Sequence, residues 1–395
     1  MTTAAADPTA GHREWLERLE LAHFDPASPA MPYWLAAGVT VMRALREMWR
    51  QEHAARGYVE MAGPQLADRS LFETSGHAAH YGSAMFWAGR FGLKPMNCPG
   101  AMLLFRSRRH SYRELPLRLY CDDLLHRHEP SGSLNGILRA QEFRQDDAHL
   151  FVTEDGVQDE LAQVFALARE LYGRFGVRFR PRLGTAPTDR LGDDAVWERA
   201  IAIIGQALDD VTGAGGYEVA PGEGSFYAPK VDFLMTDARG REWQTGTVQV
   251  DLQLPARFGC AYVDASGGAR VPVLIHRAIA GSFERFLGIL LEHADGHLPP
   301  PMCPVQVLLA PVAPRHLQGA EGFADRLRRL GVRAEVGDVR RTVGALVREA
   351  SARRVPRLAV IGDRELAANR LAVRRPGGAS ELRFVEELAD EVTAW

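Results

Sequence analysis

Lysine is nearly missing from this chain. Of its 47 basic residues only Lys94 and Lys230 are lysines. Coding bias explains the trend. A need for a compact, flexible ammonium where a planar guanidinium does not fit explains why both survivors fall in motif-like stretches, LKPMNCPG and GEGSFYAPK, and both readings stay open. Cysteine is scarce too. Cys98, Cys121, Cys260 and Cys303 are widely scattered, which excludes a disulfide framework and leaves free thiols or a metal ligand. No apolar run reaches the length of a membrane span, and the stretch MTTAAADPTAGHREW lacks the apolar core of a signal peptide, so the expected location is the cytoplasm, with no membrane partner. The net charge of −3 gives no global nucleic-acid footprint, so any RNA contact must use local patches. What remains is an ordinary soluble composition, 46% hydrophobic and 25% charged, over 395 residues, enough for two or three domains with sizeable cores.

Residues 1–30 are Ala- and Pro-rich around one short helical pattern, Trp15–Leu21, and are expected to form a loosely packed lead-in. Val41, Leu45, Met48 and Trp49 recur at helical spacing, Gly57 ends that helix, and YVEMAGPQL predicts a strand broken by Pro64. Leu161, Val164, Ala168, Leu171 and Phe175 trace another helix, and GTAPTDRLGDDAVWERAI opens one more. The stretch 222–255 predicts successive strands with Gly-rich turns. A Pro-rich segment, HADGHLPPPMCP, marks a boundary, with a linker over 297–304. Beyond it, strands alternate with helices near Ala324–Leu330 and Val343–Ala352, predicting a small α/β sheet with a parallel core over 305–395. Its basic residues, all arginine, outnumber its carboxylates, an RNA-friendly bias.

The most telling stretch is His126–Phe151. It predicts a long hairpin, one strand running to Glu129, a Pro-Ser-Gly-Ser-Leu-Asn-Gly turn, and a return strand carrying Phe143 to Phe151. Arg127 and Glu129 share a face, and Arg139 and Arg144 on the return strand join Asp146, Asp147 and His149. Such a concentration suits a polyanionic ligand read by guanidiniums in two-pronged fashion. A solvated sheet face laced with ion pairs is the plainer alternative. Cys98, His149 and His276 lack the tight spacing of a zinc finger; singly, each is more often a core residue than a ligand.

HRHEPSG followed by FRQDDAH resembles motif 2 of class II aminoacyl-tRNA synthetases, specifically the threonyl-tRNA synthetases. The resemblance runs from about residue 10 to the C-terminus. It implies an α+β catalytic domain over 31–296, an antiparallel sheet flanked by helices, followed by an α/β anticodon-binding-like domain. It implies ATP with Mg2+, threonine, and the acceptor end and anticodon stem of tRNA as ligands. The helix–strand–proline order near residues 41–66 resembles motif 1 and implies a homodimer; an ordinary core helix and strand fits equally well. HRAIAGSFERF resembles motif 3.

Residue by residue, the resemblance implies that Arg127 and Arg285 brace the α-phosphate while Glu129 and Phe143 hold the adenine. Arg139, Gln244 and Thr247 join the nucleotide site. Gln145, Asp147, Tyr227, Lys230 and Gln249 line the amino acid pocket. His77, in a stretch too polar for a core, matches the histidine that assists transfer to tRNA, a task suited to an imidazole titrating near neutrality. Cys98, His149 and His276 match a zinc site with an open fourth position. Glu365 and Arg374 match anticodon contacts.

Several positions depart from the family pattern. Gln141 and Glu142 replace Arg-Gly, expected to turn a positive charge negative near the nucleotide. Asp122 and Asp123 replace Phe-Gly, and Ala228 stands where Gly is common. Arg340-Arg341-Thr342-Val343-Gly344 replaces RNEKIG, losing an asparagine expected to read the anticodon. The chain has no room for the family's N-terminal editing domain, so serine charging, cleared by a separate editing protein or tolerated, is expected. Three readings result: a threonine–tRNA ligase; a paralogue activating a hydroxy amino acid for biosynthesis or inhibitor resistance; and an RNA-binding relic. Two phosphate arginines kept together with all three candidate ligands count against the relic.

Overall fold

The computed structural model describes residues 10–375 and 378–395. They form two compact units, one built from Pro26–Pro32 and Trp49–Ile289, the other from residues up to Asp25 with Tyr33–Met48 and Leu290–Trp395. The first unit is organised on nine strands: β1 Val59–Glu60, β2 Leu117–Cys121, β3 Leu124–His126, β4 Glu142–Val152, β5 Phe179–Gly184, β6 Glu218–Ala220, β7 Lys230–Thr236, β8 Glu242–Asp251 and β9 Val273–Ser282. They pair in the order β6-β5-β7-β8-β9-β4-β2-β1, with β3 alongside one end of β4. Every pairing is antiparallel except β5–β6 and β1–β2. The antiparallel sheet flanked by helices is therefore as expected. Strand β9 lies in the interior of the sheet and is buried over nine of its ten residues, with His276 and Arg277 interrupting an otherwise apolar run. The helix Val157–Arg174 packs on the sheet through Phe165 and Tyr172, whose rings meet Phe233 of β7 at 6.1 and 6.3 Å.

The expected hairpin is shorter and split. Its first strand stops at His126, opposite Glu142; the Arg127 amide still donates to the Gln141 carbonyl at 2.9 Å, but Pro130 and a short 3-10 turn take Glu129 out of the ladder. Arg139 precedes β4. The period of two also divides the charges within β4. Phe143, Gln145 and Asp147 face the cleft described below, whereas Arg144 turns to the Asp122 carbonyl (3.2 Å) and Asp146 is buried with Arg277.

In the second unit five strands, β10 Val307–Pro311, β11 Ala334–Val336, β12 Arg357–Ile361, β13 Leu371–Arg374 and β14 Ser380–Arg383, pair in the order β11-β10-β12-β13-β14. The first three in this order, β11, β10 and β12, are parallel, and β13 and β14 are added antiparallel, so the parallel core is as expected. The helix expected near Ala324 begins at Leu317. Gly319 obscures its apolar stripe, although its lack of a side chain is what admits Leu366, 2.2 Å from where a Cβ would stand.

Residues 1–9 of the expected lead-in lie outside the described residues, and from Ala10 on the lead-in is not loose. A helix covers His12–Arg18 and ends sooner than expected because Leu19 and then Glu20, at φ 52°, leave the helical region. Trp15 is 2% exposed, packed against Gly296 with the Arg354 guanidinium 4.7 Å from its ring centroid. Trp15→Ala is expected to destabilise this unit by about 3–5 kcal/mol in chemical denaturation; a loss below about 1 kcal/mol would show the segment to be a passive tail. Among the described residues no helix is long and apolar enough to cross a membrane.

Candidate functional site

A cleft of about 500 Å³ opens over the middle of the nine-stranded sheet. Its floor comes from β4, β8 and β9, interior strands paired on both sides, so their side chains are held by two ladders. Of the residues singled out in the sequence for catalysis, nucleotide, substrate or metal, all but His77 and His149 line it.

At its deep end His149 and His276 lie directly opposite each other on β4 and β9, ring centroids 5.0 Å apart. Cys98 opens the helix Cys98–Arg106, and one donor atom from each of the three lies within 4.8 Å of the others. The three are distant in sequence, and only strand pairing brings them together. All are buried, and neither ring nitrogen of His149, nor Nδ1 of His276, has a hydrogen-bond partner. Burial pushes the Cys98 thiol up, beside Asp147 and Asp251, and holds His149 well below the usual imidazole range, in the neutral form a metal requires. His276 Nε2 meets Asp251 Oδ2 at 2.9 Å, and Asp251 Oδ1 accepts from the amides of Gln253 and Leu254. That carboxylate–imidazole pair orients the ring with Nδ1 toward the cluster, the arrangement found behind metal ligands. Orphaned buried donors and a Cys-His-His set both fit zinc with a position left open.

Next to the cluster, Asp147 accepts from Asn97 Nδ2 at 3.0 Å, and burial pushes its carboxyl up to about 6. Asn97 was not singled out in the sequence; its place beside Cys98 was the available signal. The Tyr227 hydroxyl donates to Gln249 Oε1. Along the other wall, Arg127 donates from Nε to the Pro95 carbonyl (3.1 Å) and lies 5.1 Å from the Phe143 ring centroid. Arg285 is tied through Nε to the Gln244 carbonyl (3.0 Å) and through Nη1 to that of Leu138 (2.8 Å). Glu129 and Arg139 are paired at 2.8–2.9 Å. Gly281 is required where it stands: at φ 70°, a Cβ there would meet the Thr245 carbonyl oxygen at 2.1 Å. Gly281 belongs to a bulge in which β9 carries extra residues between the partners of Gln145 and Asp147, and buried Asp146 accepts from the amides of Ile279 and Ala280 and from Arg277 Nη1. Sequence reasoning placed Asp146 in the ligand bed; it is instead the anchor of this bulge.

His77 corrects another expectation. It is fully buried, its Nδ1 2.7 Å from Ser75 Oγ and its ring 5.2 Å from Phe226. Burial pushes it down to about 3, so it does not titrate near neutrality. The departures from the family pattern also settle. Gln141 is turned away from the cleft, its amide donating to the Pro29 carbonyl at 2.9 Å, and Glu142 pairs with His126 at 3.1 Å; neither puts a negative charge beside the nucleotide wall. Asp123 is the partner of Lys94 at 2.5 Å and accepts from the Gly63 amide. In the second unit Glu365 caps its own helix through the Gly362 amide, while Arg374 donates to the Gly378 carbonyl. Arg340 forks onto Asp338 and Thr342 caps the helix Val343–Ala352.

The tRNA synthetase class II core domain (G, H, P, S and T) matches residues 88–294, and the anticodon binding domain matches residues 306–395. The threonine–tRNA ligase of Thermotoga neapolitana is 42% identical over 381 residues, covering 95% of this chain and 59% of the relative. That of Myxococcus xanthus is 41% identical over 374 residues, covering 93% and 58%. The chain therefore spans about three fifths of the length of these curated relatives. Among solved structures, the RNA binding domain of threonyl-tRNA synthetase from Cryptosporidium parvum superposes with a TM-score of 0.93 at 35% identity, covering 97% of this chain and 98% of that one. With the core matched over more than half its length and a 35% identical structure covered almost whole, the chain belongs to the class II tRNA synthetases.

Proposed function

We propose that this chain is a threonine–tRNA ligase: it joins the threonine carboxylate to the α-phosphate of ATP, releases pyrophosphate, and passes the threonyl group to tRNA. The observation carrying the amino acid assignment is the convergence of Cys98, His149 and His276 beside Asp147. Adenylate formation is an in-line displacement at phosphorus, so positioning and charge stabilisation dominate. Arg127 and Arg285 brace the α-phosphate, and their anchors to main-chain carbonyls fix where the two guanidiniums stand before ATP arrives. Phe143 stacks on adenine and Glu129 accepts from its amino group once Arg139 releases it to follow the outer phosphates. Mg2+ accompanies ATP. Asp147 holds the substrate amino group. Cys98, His149 and His276 would hold a zinc ion, which would supply Lewis acidity and take the amino and hydroxyl groups of threonine as further ligands. The reading includes a homodimer with an edge at β1, where Val59 is 53% exposed, and domain limits as expected from the sequence.

An amino acid panel in ATP–pyrophosphate exchange tests this. Threonine is expected to be the best substrate. Serine, missing one methyl, should follow within about 10–200-fold, because a methyl in a pocket is worth only about 1–3 kcal/mol. Valine, isosteric but without the hydroxyl, should be inactive. Valine exchange at the serine level sinks the assignment. The changed segment Arg340–Gly344, with Arg340 pinned to Asp338, favours a second reading in which tRNA choice is altered and a hydroxy amino acid is activated for another purpose. Charging of purified threonine tRNA separates the two.

A further inference from the structure

Asp232 of β7 is fully buried and is not part of the cleft wall, yet it holds two side chains that are. Its oxygens divide their partners. Oδ2 faces two cations, Lys230 Nζ at 3.2 Å and Arg182 Nη2 at 3.3 Å, while Oδ1 accepts from Gln244 Nε2 at 2.7 Å. An ionised carboxylate only accepts, whereas a glutamine amide has an accepting and a donating end and by itself can offer either. With Nε2 drawn to Asp232, the end left over is the carbonyl Oε1. With the NH2 end held at Asp232, Gln244 is left to present its accepting oxygen to a ligand. Its main chain is committed as well, since the carbonyl of the same residue receives Arg285 Nε.

We infer that Asp232 is a positioning residue that fixes Gln244 as a hydrogen-bond acceptor for a ribose hydroxyl of the nucleotide, while keeping Lys230 at the amino acid end of the same cleft. The inference rests on the reading that the cleft takes ATP. In that reading Glu129 and Phe143 take the adenine, so the ribose hydroxyls are the neutral donors left for Gln244. The division of partners makes the effect of a single isosteric change specific. In D232N the two cations keep the carbonyl oxygen, so the new NH2 group turns toward Gln244. Gln244 must then rotate its own carbonyl inward and offer its NH2 to the ligand. A hydroxyl accommodates either arrangement because it both donates and accepts. Fluorine cannot donate, so it is rejected by an acceptor and tolerated by a donor.

The test is equilibrium binding of ATP and of its 2′-fluoro-2′-deoxy and 3′-fluoro-3′-deoxy analogues by calorimetry, on the full chain and its variants. Wild type is expected to prefer ATP over one of the two analogues by about tenfold, the worth of one hydrogen bond. In D232N that preference should fall to about threefold or less, in Q244A it should approach one, and D232N/Q244A should add nothing further. The ratio is internal to each variant, so a general loss of affinity or stability leaves it unmoved. If D232N does not fold, D232S, which frees the amide to rotate, reads the same ratio. A wild-type preference retained in the Asp232 variants, or no preference in wild type, overturns the inference. Wild type that binds ATP with this preference but fails to exchange with threonine sinks the ligase reading and leaves the role of Asp232 standing. No ATP binding at all removes both.

Discussion

Cys98→Ala is expected to empty the metal site and to lower threonine-dependent ATP–pyrophosphate exchange by at least about 1,000-fold. The size of the effect follows from the cluster. Changing a residue that only orients a metal ligand costs about 10–100-fold, and Asp251→Asn should fall in that range through His276. Loss of a ligand goes further, because His149 and His276 are then two buried imidazoles with nothing to bind. Elemental analysis should find about one zinc per wild-type chain and less than about a tenth of that in the variant, and chelation of wild type should reproduce the loss. The site is buried inside a sheet rather than closing a loop, so thermal unfolding should show a folded variant. Exchange within tenfold of wild type, or wild-type zinc content in Cys98→Ala, would falsify the assignment of the cluster.

Arg285→Ala is expected to lower kcat of adenylate formation by about 100–1,000-fold, the range seen when one preorganised donor to developing charge is removed. Its KM for ATP should rise much less, because the phosphate charge redistributes only as pyrophosphate leaves. Lysine should not rescue it. The guanidinium is held at two nitrogens by the carbonyls of Gln244 and Leu138, and a single ammonium cannot span both while also facing phosphate. Initial rates across an ATP series separate kcat from KM. A kcat within threefold of wild type in Arg285→Ala would place the phosphate elsewhere.

Much of this site was legible because its residues are chemically conspicuous and lie in matched motifs; fourteen of the sixteen singled out for chemistry line one cleft. What the sequence could not show was direction. Asp146 and Asp147 are adjacent, but the pleat sends one toward the ligand and the other to anchor the β9 bulge. His77 stands among polar letters, yet Phe226 and Tyr227 arrive from nearly 150 residues away to bury it, and that long-range packing resets its titration. Gln141 and Glu142 changed the charge of a motif without changing the charge of the cleft, since both point elsewhere. In the second unit the alternation of strand and helix beyond residue 305 was clear, but Gly319 hid the first turns of the helix Leu317–Arg329 because the apolar partner there, Leu366, is contributed by another segment.

The scarcity of lysine has a practical corollary. Both lysines face a carboxylate, Lys94 that of Asp123 and Lys230 that of Asp232, but the Lys94 side chain is 8% exposed and that of Lys230, in the cleft wall, is 20% exposed, so apart from the amino terminus an amine-selective acylating reagent has one accessible side-chain target. Mass spectrometry of a single tryptic region then reports whether the cleft is filled, and the extent of labelling at Lys230 becomes an occupancy gauge that needs no engineered label.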